Sequence, residues 1–146
     1  MEITKEQIFQ GIEYTLIHLY DKDKYLLEHK VHEQAIVFRF ALYFENFVNS
    51  LGKDYNLDVE YNKNMDNPKR IRANENGKKP DLIIHKRGSN ECNLLIIEFK
   101  SYWNRNYQED YRKIKEFCKS EEYHYQYGVC IILGREKADT HIEWVC

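Results

Sequence analysis

Long apolar runs are missing from this sequence: no stretch approaches the roughly 18 residues that would span a bilayer. The acidic, polar start MEITKEQ lacks the basic-then-apolar layout of a signal peptide. A soluble, cytoplasmic protein with no membrane partner is expected. Charge of one sign is missing as well, since 22 basic and 24 acidic residues leave a formal net charge of −2. That balance excludes a protein coating nucleic acid through global positive charge, so any polyanion site must be local. The four cysteines, Cys92, Cys118, Cys130 and Cys146, form no C-x-x-C pair and are expected as reduced thiols. The six histidines form no H-x-x-x-H cluster, which leaves a histidine-built transition-metal site without support. Oxygen ligands remain. No internal repeat, low-complexity tract or linker interrupts the 146 residues, a length suited to one compact domain over 1–146.

Periodicity supplies the elements. Ile8, Ile12, Leu16 and Leu19 step along an amphipathic helix over 4–20, which residues 21–24 break. A longer helix over 31–51 carries Ile36, Phe40, Phe44, Phe47 and Leu51 on one stripe, with Gly52 as its stop. One turn back along that stripe stands Glu33. Residues 56–62 alternate as a half-buried strand, with Leu57, Val59 and Tyr61 inward. Residues 63–79 read as a basic loop holding Lys63, Lys69, Arg70, Arg72, Lys78 and Lys79 against Asp66 and Glu75. Strands over 81–86 and 93–100 bracket the turn-forming Gly88, Ser89 and Asn90. A helix over 108–120, with Tyr111, Ile114, Phe117 and Cys118 inward, precedes strands over 127–133 and 141–145. The order predicts an α/β fold, a mixed sheet flanked by helices.

Within PDLIIHKRGSNECNLLIIEFK, the charged Asp81, Glu98 and Lys100 punctuate buried-type aliphatics. If the two strands pair antiparallel around their loop, opposed positions sum to 179, and Asp81 lies across from Glu98. Like charges so placed repel and call for a cation. Hard divalent ions take carboxylate oxygens, and Mg²⁺ commonly uses one or two of them plus water and phosphate oxygens. Lys100 shares the Glu98 face. A positive charge about 4 Å from a forming hydroxide contributes about 4 kcal/mol at an effective dielectric of about 20, or roughly three pKa units.

Pro80-Asp81, sixteen intervening residues, then Glu98-Phe99-Lys100 resembles the signature of the PD-(D/E)xK, or restriction-endonuclease-like, nuclease superfamily. The α-β-β-β-α-β order over 31–133 is similar to that family's core, with the first helix and last strand as additions. HEQAIVFRFALYF and the PDLIIHKRGSNECNLLIIEFK segment also look like short stand-alone bacterial nucleases. The resemblance implies Mg²⁺ or Mn²⁺ held by Asp81 and Glu98, the Phe99 backbone carbonyl as a further ligand, Lys100 as the catalytic lysine and Glu33 as the helical acid. It implies an enzyme hydrolysing phosphodiester bonds in nucleic acid, DNA before RNA, with two-fold dimerisation as a route to cutting both strands. The rivals are a catalytically silent nuclease-fold module binding nucleic acid or a protein, and a purely structural subunit.

Other charged and aromatic residues carry two readings each. The basic loop is read as a phosphate-backbone contact, with a solvated loop as the alternative. His32 and Arg39 are read as a solvated helix flank, with phosphate contact second. His85 is read as a structural, hydrogen-bonding histidine. Asp110 and Lys113 suit either support of the site or an ordinary i, i+3 ion pair. Tyr102, Trp103 and Tyr107, interleaved with Arg105, are read as helix-entry packing, with base stacking second.

Overall fold

The structure, a computed structural model, describes residues 2–61, 63–64, 67–68, 79–104 and 106–146. Three helices open the chain: α1 (Lys5–Lys22), α2 (Lys24–Glu28) and α3 (Glu33–Ser50). Thr4 and Gln7 close a reciprocal capping box on α1, satisfying donors that the first turn leaves open. The expected α1 stripe is buried throughout. The break after it shrinks to Asp23, because α2 resumes at once to bury Leu27. Asp23 then ties this corner to α3, accepting from Arg39 Nε at 3.0 Å and from the Tyr43 hydroxyl. Arg39 thus makes an ion pair on a half-exposed helix flank, where His32 is exposed. Along α3, Val48 is buried while Phe47 and Leu51 are only half-buried. Phe47 instead lies over Gly11 of α1. Gly52 follows the helix at a φ of 115°, a left-handed conformation that glycine adopts without steric penalty.

The central sheet runs β1 (Asn56–Val59), β4 (Leu82–His85), β5 (Leu95–Ser101), β6 (Tyr127–Leu133) and β7 (His141–Trp144) in that spatial order. Only β5 and β6 are parallel, joined through α4 (Gln108–Lys119). A separate two-stranded ladder, β2 (Lys63–Asn64) with β3 (Asn67–Pro68), replaces part of the expected loop. The sheet is mixed and flanked on both faces, so the molecule is α/β, and α3-β1-β4-β5-α4-β6 follows the expected order.

Side-chain alternation assigns the two faces. Leu95, Ile97 and Phe99 pack with α1 and α3, while Ile96 faces α4 together with Ile83 and Cys130. Gly128 on β6 lies directly beneath Ile114 of α4. A Cβ there would fall within 2.8 Å of Cys146 Sγ and 3.0 Å of Cys118 Sγ, and closer still to Ile114. The same spot corrects the cysteine reading: Cys118 and Cys146 are disulfide-bonded, with Cα atoms 6.5 Å apart. A spacing of 28 residues gave no sign of this pairing.

Strand β1 ends three residues earlier than expected, because Glu60 turns into the left-handed region at φ 50° and donates its N–H to the Asp81 carbonyl at 3.2 Å. Past that turn, Tyr61 packs edge-on against His85, while Val59 is left 41% exposed instead of inward. Among the described residues no helix is long and apolar enough to cross a membrane.

Candidate functional site

Backbone register brings the acids together. Leu82, Ile83 and Ile84 pair with Ile97, Ile96 and Leu95, each pair summing to 179, so Asp81 lies across from Glu98 at the open end of the ladder. The two residues interlock: Asp81 N donates to Glu98 Oε2 at 3.0 Å, and Phe99 N donates to Asp81 Oδ2 at 2.8 Å. In the same register Pro80 stands opposite Phe99. A strand residue sends its N–H and C=O to one edge, and proline has no N–H to return to the Phe99 carbonyl.

Glu98 is fully buried and shares the α4-facing side of β5 with Lys100. Both meet charges on α4. Lys113 Nζ pairs with Glu98 Oε1 and also donates to the Lys79 carbonyl at 3.3 Å, whereas Lys100 Nζ pairs with Asp110 Oδ2 at 2.9 Å. Of the two readings of Asp110 and Lys113, these contacts favour support of the site, since each residue reaches a charged side chain of β5. The Lys100 amine lies on the Glu98 face as expected, and there it is held by Asp110 of α4. The pairing of Lys113 with Glu98 was not foreseen, and its signal was positional: Lys113 directly precedes the inward Ile114 and stands one turn before Phe117, on the face that buries.

Glu33 enters from the other layer. Its Oε2 accepts from Ser101 N at 3.0 Å and from Ser101 Oγ at 3.1 Å, anchoring the start of α3 to the end of β5. Glu33 and Asp81 line one cavity of about 440 Å³ together with His32, Glu60, Phe38 and Val59. His32 caps α3, its Nδ1 accepting from Gln34 N at 3.3 Å. Glu98 and Lys100 are not among the lining residues.

The electrostatics follow from burial. Burial pushes the Asp81 carboxyl above its ordinary value, against the pull of the Phe99 amide and of Lys113 and Lys100. Burial likewise raises Glu33, with Asp81 adding to the rise and Ser101 and Lys100 opposing it. For Lys100, burial works to lower the pKa, but the Asp110 bond and the charges of Asp110, Glu33 and Asp81 leave it raised. It is an ammonium, not a base. Cys130, beside Glu98 in register, has its thiol pushed up to about 12, chiefly by burial, which disqualifies it as a nucleophile.

The remaining expected residues separate by environment. His85 is buried with Nε2 2.7 Å from Asp58 Oδ2, and Arg87 grips the same carboxylate at 2.6 and 2.8 Å. The histidine is structural, as expected. Burial would raise Asp58, yet these bonds win and leave its pKa lowered. A lowered carboxyl adds stability above its ordinary pKa, and that stability is lost as pH falls through the folded value. Asp58→Asn is expected to cost about 1–3 kcal/mol at neutral pH and much less in acid. Urea denaturation at both pH values measures this, and an equal loss in acid would refute it. Tyr102 donates to the Leu27 carbonyl at 2.9 Å and packs edge-on to Trp103, which is core packing at the helix entry. Tyr107 is the exposed N-cap of α4. Of the basic loop, Lys79 is exposed. Lys69, Arg70, Arg72 and Lys78, the Lys63 side chain and Arg105 lie outside the described residues.

Comparison of the chain with protein-family models, with curated proteins and with solved structures finds no match.

Proposed function

We propose that the protein is a divalent-metal-dependent nuclease of the restriction-endonuclease-like type, hydrolysing phosphodiester bonds in nucleic acid, DNA before RNA. The observation that carries this reading is the interlock of Asp81 with Glu98 and Phe99 at the end of the β4–β5 ladder. It gathers two carboxylates and one backbone carbonyl that Pro80 cannot satisfy.

The donor set suits a hard ion. Among the described residues no three histidine, cysteine or acidic groups form a metal cluster. Asp81 and Glu98 are two interlocked carboxylates, which leaves the other positions on an ion to water and phosphate oxygens. That is the habit of Mg²⁺, and Mn²⁺ accepts the same oxygen ligands. Asp81, Glu98 and the Phe99 carbonyl would hold the ion, with Glu33, bonded to Ser101, lining the cavity beside Asp81. When bound, the ion supplies charge neutralisation and a more acidic water. Lys100, kept charged by Asp110, donates to oxygens that gain negative charge during in-line attack. Three acids, Glu33, Glu60 and Asp81, line the cavity, so an incoming phosphate is repelled until a divalent ion arrives.

Labelled single- and double-stranded DNA and RNA, incubated with Mg²⁺, Mn²⁺ or chelator, test the reading. Wild-type protein is expected to cleave only with metal, and Glu98→Ala to lose roughly 10²–10⁴-fold of that rate. Cleavage that persists in both chelator and variant, or no cleavage of any substrate with metal, defeats it. A catalytically silent nucleic-acid-binding module is the second reading, favoured by the ion pairs that already neutralise Glu98 and Lys100. It predicts binding without turnover in the same assay.

A further inference from the structure

We infer that Lys113 is the built-in counter-ion of the metal site, holding Glu98 in the metal-free protein and surrendering that carboxylate when a divalent ion binds. The inference rests on the metal-dependent reading above and adds a residue that controls metal affinity.

Glu98 has no exposed surface, and a buried carboxylate requires a cation or a proton. Lys113 provides the cation from a different layer, with its side chain only 9% exposed. Its ammonium sits on Oε1, while Oε2 is occupied by the Asp81 amide, so the protein's own charge stands on the carboxylate that a metal would need. Two cations on one carboxylate repel each other, and the divalent one binds more strongly. The displaced ammonium keeps the acceptor it already has, the Lys79 carbonyl at 3.3 Å, on the segment leading into Pro80 and Asp81. Release therefore leaves it hydrogen-bonded to the segment that carries Asp81, with its carboxylate counter-charge given up to the metal. Lys100 cannot make the same exchange while Asp110 holds it. The two lysines thus divide the work, Lys113 as a positioning residue that acts through Glu98 and Lys100 as the cation that Asp110 retains.

Calorimetric titration with Mn²⁺ alone, without substrate, tests the exchange. Lys113→Met is expected to bind Mn²⁺ roughly tenfold more tightly than wild type, and Lys113→Arg to stay near the wild-type affinity. A merely structural lysine predicts the opposite, because a disordered Glu98 binds more weakly. Unchanged or weaker binding by Lys113→Met overturns the inference while leaving the metal site standing. Absence of Mn²⁺ binding by wild type removes both. Because Lys113→Met leaves Glu98 without its counter-ion, circular dichroism is recorded with and without metal. Folding that is restored by Mn²⁺ supports the exchange, and a variant that stays unfolded at saturating Mn²⁺ refutes it.

Discussion

Lys100→Ala is expected to slow metal-dependent cleavage roughly 10²–10⁴-fold, the usual worth of one positioned charge or proton donor. On the proposed reading the loss appears in kcat rather than in Mn²⁺ affinity, because Lys100 meets Asp110 and not the acids that hold the ion. Its removal leaves Asp110 facing a half-emptied space, at a cost of about 1–3 kcal/mol, so rates are to be compared well below the melting temperature. Single-turnover kinetics with saturating metal decide the matter. A variant that cleaves at the wild-type rate would remove Lys100 from the mechanism, and one that loses metal binding would place it among the groups that hold the ion.

Phe40→Ala is expected to lower unfolding free energy by about 3–5 kcal/mol, a large share of the roughly 5–15 kcal/mol that holds a domain together. Phe40 is fully buried between Phe44, with ring centroids 5.1 Å apart, and Phe99, 4.9 Å away edge-on. Phe99 is also the residue whose amide donates to Asp81. The substitution therefore removes the floor under the site as well as core volume, and metal affinity should fall with stability. Urea denaturation and Mn²⁺ titration of the same preparation measure the two effects. A loss below about 1 kcal/mol would mean that the core refills the space.

The register was legible because strand alternation is rigid. Once 81–86 and 93–98 are taken as partners around a six-residue loop, the pairing sum is set, and a slip of one residue would turn Ile83 and Ile96 from the α4 layer into the α1–α3 layer. The helical stripes were legible for the same reason, since Ile8, Ile12, Leu16, Ile36, Phe40 and Phe44 recur at the helical period. What escaped depends on contacts between layers. A lysine on a helix reads as solvated until the position of that helix over the sheet is known, and Lys113 reaches Glu98 only because α4 crosses β5 there. The end of β1 turned on the conformation of Glu60, a residue type with no particular preference for it. The Cys118–Cys146 bond needed knowledge that the strand carrying the last residues returns beside α4. The site separates in the same way: Asp81 opposite Glu98 followed from the pleat, whereas the two lysine partners did not.

Gly128 has a reach beyond its own strand. With no side chain between β6 and Ile114, α4 rides at a fixed height above the sheet, and both Asp110 and Lys113 hang from that one rod. Raising the rod by the width of a methyl group would draw the two charges away from Lys100 and Glu98 together, unbalancing the centre from a position that touches neither.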